Sequence, residues 1–451
     1  MEFNGKKILV LGAGISGIAV AGILQQQGAA VTLSDTKPAE NIKHDLTGLA
    51  GKGVKMALGN QDESLLAGTD YVVLSPGVSV YSPLVARAQA LGITVMSEIE
   101  VAYRLCQAPI VAITGTNGKT TTTTLTGEIL KAAGREVVVG GNIGLALSQE
   151  VKDVSADGVV VAEISSFQLE GVIKFRPHVA AILNLTPDHI DRHGTIETYR
   201  DMKERIFANQ TSEDYLILNY DDPALRDMAG HASAQVVFFS RLQPLQSGIF
   251  VKDGTIKLCW QNNTLDICSV DSIKIKGAHN VENALAACGV AFFAGAKPAD
   301  MAGVLAAFPG VEHRIEPVAT VGGVTYYNDS KATNPESSVK ALEAFPGHII
   351  LIAGGRDKKT DLGEFMRLIK ERVDHLILLG EAADRFNQAA LGHGVANIHL
   401  VNDFASGVKL AHELARPPQV VLLSPACASY DMFNNYEERG RAFKDLVRRL
   451  S

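Results

Sequence analysis

The feature that most constrains this chain is a repeated alternation. Short β-branched and aliphatic runs of strand length give way to helical patterns almost from end to end. The runs are Lys7–Leu11, Ala30–Leu33, Tyr71–Leu74, Ile110–Thr114, Val159–Ile164, Ala180–Leu185 and Tyr215–Asn219. Near the C-terminus follow Val324–Asn328, His348–Ala353, His375–Leu379 and Val420–Ser424. Such alternation predicts an α/β fold of parallel sheets joined by crossover helices. One stretch differs. Between Gly248 and Ile275, Asp253-Gly254 and Asn262-Asn263 read as hairpin turns, which predicts a small antiparallel sheet on a parallel core. Boundaries near Gln107–Pro109 and Pro309–Val311 divide the 451 residues into three units, 1–107, 108–311 and 312–451.

The strongest local signal is the run Ile110–Thr114 leading into Gly115-Thr116-Asn117-Gly118-Lys119-Thr120-Thr121 and then a helix. Backbone amides of such a loop cradle phosphates, Lys119 neutralises the outer phosphate oxygens, and the Thr120 hydroxyl suits Mg²⁺. The loop is a variant, because the first glycine of the usual pattern is missing. Five consecutive threonines open the helix, and β-branched residues are poor helix formers, so the run asks for a reason other than propensity. A phosphate loop needs a metal-side acid, and Glu163 stands at the end of an apolar strand, followed by Ser165-Ser166. The next strand runs into Asn184-Leu185-Thr186-Pro187-Asp188-His189-Ile190-Asp191-Arg192-His193, whose acids and histidines suit a second cation. A lone histidine there would more often be a solvated loop residue. Gly141-Asn142-Ile143-Gly144 brings Asn142 to a ligand or is a plain turn.

In the first unit, Gly12-x-Gly14-x-x-Gly17 follows a strand and opens a helix, and Asp35 ends the next strand. The spacing is that of a dinucleotide fingerprint, with a diphosphate at the helix N-terminus and the acid on a ribose. The plainer reading is a tight strand–helix turn. Ser75-Pro76-Gly77 closes another strand at the edge where α/β ligands lie. In the third unit, polar clusters again follow strands: Asn328-Asp329-Ser330-Lys331, Gly354-Gly355-Arg356-Asp357-Lys358-Lys359 and Ser424–Ser429. They suit a carboxylated substrate or a phosphate, or are solvated loops. Glu312-His313-Arg314 is placed for a hinge cation.

Composition narrows the function classes. Net charge is −7, which gives no footprint for nucleic acid or an anionic membrane. Five scattered cysteines without a C-x-x-C pair suggest neither a disulfide framework nor a zinc site, and fit a reducing cytoplasm. Lys6-Lys7 before the apolar run Ile8–Leu24, with Ala19-Val20-Ala21, resemble a signal peptide. The glycines within that run and the β-branched run after it favour strand, turn, helix and strand instead. Elsewhere no stretch is long and apolar enough to span a bilayer.

Taken together, these motifs resemble the Mur ligase family over essentially the whole chain. The carriers are GTNGKTT (115–121), GNIG (141–144), Glu163-Ile164-Ser165-Ser166, NLTPDHIDRH (184–193), GAHNVEN (277–283) and EHR (312–314). Within the family, NDSKATN (328–334) and SPACASYDMFNNYEERG (424–440) point to a member that adds D-glutamate. The resemblance implies a Rossmann-like N-terminal domain for UDP, a central phosphate-loop ATPase domain, and a Rossmann-like C-terminal domain for the amino acid. It implies a cytoplasmic, monomeric enzyme that joins D-glutamate to UDP-N-acetylmuramoyl-L-alanine with ATP, through an acyl phosphate, in peptidoglycan precursor synthesis. Two Mg²⁺ ions are expected, with Mn²⁺ as a substitute.

Carried over residue by residue, Gly115, Thr116, Asn117, Gly118, Lys119, Thr120 and Thr121 hold the ATP phosphates. Thr120 and Glu163 hold one metal ion. His189 holds the second, with Lys203 in YRDMKERIF (199–207) as a carbamate. Asn280 and Asn283 lie by the adenine, Asp329 by the ribose, and Arg314 and Lys331 by the γ-phosphate. Ser16, Asp35, Thr36, Ser75, Gly77 and Asn142 face the UDP-sugar. Thr333, Lys358, Ser429 and Tyr436 hold D-glutamate. Two places depart from the family pattern: position 436 is Tyr rather than Phe, and Arg356-Asp357 precede Lys358. Other readings stay open. A folylpolyglutamate-type ligase shares the chemistry. An NAD-dependent dehydrogenase would explain Gly12–Asp35 but leave Glu163 and His189 without a role. A phosphate-loop switch protein would hydrolyse ATP without any amino acid.

Overall fold

The computed structural model describes residues 2–42, 44–357 and 359–450. The chain forms two compact units, one of residues up to Ile273 with Asn280–Phe308, the other of Lys274–His279 with the chain from Pro309 onward. The first unit holds two sheets. Its N-terminal sheet is parallel, with β1 (Lys7–Leu11), β2 (Ala30–Asp35), β3 (Lys55–Leu58), β4 (Tyr71–Leu74) and β5 (Thr94–Ser97) in the order β3-β2-β1-β4-β5. Alternate strand residues feed two cores: Ile8, Val10, Val31 and Leu33 on one face, Leu9, Leu11, Val72 and Leu74 on the other.

The central sheet has nine strands. They are β6 (Ile110–Thr114), β7 (Val137–Gly141), β8 (Val159–Glu163), β9 (Val179–Ile182), β10 (Tyr215–Asn219), β11 (Gln235–Ser240), β12 (Gly248–Lys252), β13 (Thr255–Trp260) and β14 (Asn263–Ser269). Their order is β14-β13-β12-β11-β10-β9-β6-β8-β7. Pairing is parallel from β7 across to β12, and β12, β13 and β14 are antiparallel. The expected antiparallel strands are therefore present, but they extend the central sheet rather than stand apart. The first hairpin turn is Asp253-Gly254, as expected. The second falls one residue early, at Gln261-Asn262, because Trp260 pairs with Asn263 and the two turn residues take φ of 50° and 65°.

Several contacts fasten the N-terminal layer to the central one. Ser97 N donates to Gly171 O at 2.9 Å, and Ser148 N donates to the buried Glu98 Oε1 at 2.6 Å. Glu100, fully buried, takes the amides of Ile173, Lys174 and Phe175 on Oε2, each at 2.9 Å, and Arg104 Nε on Oε1 at 2.8 Å. Donors placed in this way offset the cost of burying the Glu100 carboxylate.

The second unit is built on β15 (Glu316–Val321), β16 (Val324–Asn328), β17 (Ile349–Gly354), β18 (Val373–Leu379), β19 (Ile398–Leu400) and β20 (Val420–Leu423). Their order is β15-β16-β20-β17-β18-β19, antiparallel only at β15. Leu351, Ala353, Leu376 and Leu378 face one core and Ile350, Ile352, Ile377 and Leu379 the other. Among the described residues no helix is long and apolar enough to cross a membrane.

Candidate active site

β6 is buried along its length, and the chain leaves it at Gly115 with φ 152°. It enters the helix Lys119–Ala132 through Gly118 at φ 84°. A Cβ on Gly115 would stand 3.0 Å from Leu183 Cβ, so glycine lets the loop lie against the end of β9. The helix's first ladder bond runs from Thr122 N to Gly118 O at 3.0 Å, so the amides before Thr122 belong to the open first turn that favours anions. Lys119 Nζ donates to the carbonyls of Gly115 and Thr116 at 2.9 and 2.8 Å. The threonine run has its reason here. Thr121, Thr122 and Thr123 are buried, and Thr122 Oγ1 donates to Asn283 Oδ1 at 3.3 Å. Asn283 in turn donates to Asn280 Oδ1 at 3.1 Å, so both expected adenine residues stand beside the phosphate loop. Thr120 is half-buried in the first turn.

Glu163 ends β8, next to β6 in the sheet, and is 1% exposed. Its Oε1 accepts from Asn142 Nδ2 at 2.7 Å, while Oε2 has no hydrogen-bond partner among the described residues. A buried carboxylate oxygen without a donor is costly, and a hard cation is the ligand that would repair it. Asn142 itself is exposed, so the GNIG turn orients the acid from outside. His189 takes a left-handed backbone, φ 53°, with its half-exposed ring edge-on to Phe167 at 4.7 Å. His193 is buried with Nε2 3.0 Å from Ser166 Oγ. Of the two histidines, His189 is the more exposed.

Lys203 lies on the helix Ile196–Glu204, 1% exposed, its Nζ donating to Gly115 O at 2.9 Å and standing 4.5 Å from the Tyr199 ring centre. Burial, and then the charge of Lys119, hold its pKa well below the ordinary lysine value against the opposing pull of Asp188. Two lysine side chains thus converge on one carbonyl. Tyr199 joins them, its hydroxyl 3.3 Å from Thr116 Oγ1.

At the N-terminal sheet, a Cβ on Gly17 would fall 1.8 Å from Gly12 O, so the turn closes only with glycine there. Asp35 is pinned, Oδ2 accepting from Ala13 N at 2.8 Å and Oδ1 from Lys37 N at 2.9 Å. Ser16 is half-buried, Ser75 buried, and Thr36 and Gly77 exposed, all at the carboxyl edge of this sheet. Arg192 reaches that edge from the central layer. It donates to Pro76 O at 2.9 Å and Val78 O at 3.0 Å and pairs with Glu170 at 2.5 Å.

In the second unit, Asp329 is fully buried, accepting from Ile315 N at 3.2 Å and Ser424 Oγ at 2.8 Å. Burial pushes its carboxyl up to about 6 despite the nearby Arg314 charge. Arg314 and Thr333 are half-buried and Ser429 is buried. Lys331 Nζ donates to the Tyr436 hydroxyl at 3.2 Å, a contact that phenylalanine at 436 would not make. Asp357 is held by Arg385 at 2.7 and 2.8 Å, and Arg356 N bonds Ala428 O at 2.9 Å. Lys358, expected to bind D-glutamate, lies outside the described residues. Arg439 is 1% exposed and donates to Ser330 O and Oγ, Cys427 O and Ala428 O, tying the two polar loops together. Burial lowers its pKa to about 10. Asn184, Tyr199 and Arg439 each sit inside a quoted motif without a role in the sequence reading. Their signal was a polar residue at a strand or helix end, too common to stand out.

Comparison with known proteins gives three family matches. The N-terminal domain of MurD-like Mur ligases matches residues 6–97, the Mur ligase middle domain 113–291, and the Mur ligase glutamate ligase domain 313–427. A UDP-N-acetylmuramoylalanine–D-glutamate ligase of Thermoanaerobacter sp. strain X514 is 46% identical over the full length of both chains. One of Pelotomaculum thermopropionicum is 47% identical over 99% of this chain and 98% of its own. Among solved structures, the UDP-N-acetylmuramate–alanine ligase MurC of Thermotoga maritima aligns with TM-score 0.63 at 20% identity, over 99% of this chain and 100% of its own. The MurF ligase of the same organism, in complex with ADP, aligns at 0.60 and 17%, over 99% and 96%. These structural likenesses speak to the fold.

Proposed function

The chain belongs to the Mur ligase family, and from that premise we propose that it joins the amine of D-glutamate to the L-alanyl carboxylate of UDP-N-acetylmuramoyl-L-alanine with ATP. The carrying observation is the 46% identity, end to end, to a relative named for that reaction. ATP phosphorylates the carboxylate, the amine attacks the acyl phosphate after losing a proton, and phosphate leaves. ADP is the other product. The reaction belongs to peptidoglycan precursor synthesis, and we place it in the cytoplasm.

We assign the UDP-sugar to residues 1–107, ATP to 108–311 and D-glutamate to 312–451. Lys119 and the amides of the helix's first turn neutralise the phosphates as charge builds on them. Thr120 and Glu163, whose Oε2 has no protein partner among the described residues, suit one Mg²⁺. When bound, the metal screens the repulsion between carboxylate and phosphate. His189 serves a second ion. Lys203 as an ammonium would repel it, but burial lowers its pKa and so favours the neutral amine, the form that adds CO₂ to give a carbamate and a proton. Asn280 and Asn283 serve the adenine and Asp329 the ribose. The charges of Arg314 and Lys331 suit a phosphate. Ser16, Asp35, Thr36, Ser75, Gly77 and Asn142 serve the UDP-sugar, and Thr333, Lys358, Ser429 and Tyr436 the amino acid.

The reading is tested by mass spectrometry of the product. UDP-N-acetylmuramoyl-L-alanine, D-glutamate and ATP should give one compound with the mass of the two acceptor substrates less water. Absence of that compound with all three present would sink the assignment.

A further inference from the structure

We propose that Asn184 is a positioning residue that sets the shape of the phosphate loop before ATP arrives, an inference that rests on the ligase reading above. One carboxamide holds three main-chain groups. Its Oδ1 accepts from Thr116 N at 3.1 Å and Asn117 N at 2.8 Å, and its Nδ2 donates to Asn117 O at 3.1 Å. The Asn184 carbonyl also accepts from Thr116 N at 3.1 Å.

The consequence is a division of labour among the loop's amides. Those of Thr116 and Asn117 are turned toward the end of β9, while those before Thr122 in the helix's first turn stay with the ligand side. The loop needs such a clamp because Gly115 and Gly118 flank it, and glycine has the most backbone freedom to lose. Freedom removed in advance is not lost again on binding.

The clamp is itself held from several sides. Leu183 N donates to Thr114 O at 3.0 Å and Leu185 N to Asp222 Oδ2 at 2.9 Å, on either side of Asn184. Thr186 N donates to Thr116 Oγ1 at 3.1 Å, and that hydroxyl donates to Thr186 O at 3.0 Å. Only a planar group with an acceptor and a donor side by side fits these three contacts. Ionised aspartate has no donor, so it would set an oxygen against Asn117 O and add a negative charge beside the phosphates.

The test is steady-state kinetics on the full chain, wild type, Asn184→Ala and Asn184→Asp, with KM for ATP and KM for D-glutamate measured separately. Asn184→Ala should raise KM for ATP roughly tenfold or more, since two to three hydrogen bonds go. KM for D-glutamate should stay within about twofold, because no hydrogen bond to that substrate is removed. Asn184→Asp, nearly the same shape, should lose at least as much toward ATP, whereas a merely structural prop would tolerate it better than alanine. The ADP-induced rise in melting temperature should shrink in both variants, and Asn184→Asp keeps the test alive if alanine prevents folding. Unchanged KM for ATP, or equal rises in both KM values, would overturn the role. A wild-type protein that releases no phosphate with D-glutamate would instead overturn the ligase reading.

Discussion

Lys203 is the residue whose surroundings least suit its ordinary form. Its amine is buried, shares Gly115 O with Lys119, and is held well below the usual lysine pKa. If the carbamate is the working form, Lys203→Ala should lose most activity, and formate or acetate should restore part of it. Lys203→Arg should not respond to either, since the charge remains. Normal turnover by Lys203→Ala would remove the residue from the site. Lys119→Ala should abolish ligation with the fold intact, because its charge is needed where phosphate charge builds up. Asp329 gives a pH signature. Burial pushes its carboxyl up to about 6 from the ordinary 3.8, so the folded chain binds more protons between those values. Stability from this group therefore falls as pH rises through that window and is level above it. Asp329→Asn should flatten that slope and raise stability near pH 7 by about 1–3 kcal/mol. Melting temperatures of both proteins from pH 4 to 7 decide it, and parallel curves would contradict the account.

Elements divide by how they are buried. Strands buried on both faces, such as β6, β8, β9 and β10, announce themselves as unbroken apolar runs. The strands missing from the sequence reading are β3, β5, β7, β11, β15 and β19, and all but β11 lie at sheet edges where composition is mixed. Strand ends shifted where a residue left the ladder for another task. The run expected to reach Leu185 stops at Ile182 because Asn184 turns to the phosphate loop. The run expected from His348 starts at Ile349, since His348 holds φ 57°. The phosphate loop and Glu163 were legible because their chemistry sits in one strand–loop–helix and one strand end. The residues assigned to D-glutamate rested on resemblance, because buried partners such as Arg439 and Ser424 come from distant segments. The helix Glu98–Leu105 carries a prediction of its own. Glu100→Gln keeps the shape but loses the charge that three amides and Arg104 share, and should cost roughly 1.5–3 kcal/mol in denaturant unfolding. An unchanged midpoint would mean that these bonds add nothing to the docking of the two layers.

For the whole molecule, the glycine turn at Gly12–Gly17 admits a nicotinamide dinucleotide on spacing alone, whereas the function proposed above puts a UDP-sugar there. Binding linkage separates them, since only a ligand of the folded state raises the melting temperature. UDP-N-acetylmuramoyl-L-alanine should raise it and NAD should not. A clear shift with NAD would revive the dehydrogenase reading. The central claim is that ATP is cleaved in order to join one particular amino acid to one particular carboxylate. The most direct measurement is phosphate release with ATP and UDP-N-acetylmuramoyl-L-alanine held constant while only the amino acid is varied. Release should be rapid with D-glutamate, and weak with L-glutamate, whose inverted centre misplaces a carboxylate or the amine. It should be near background with none. Equal release without any amino acid, or with either enantiomer, would contradict the account.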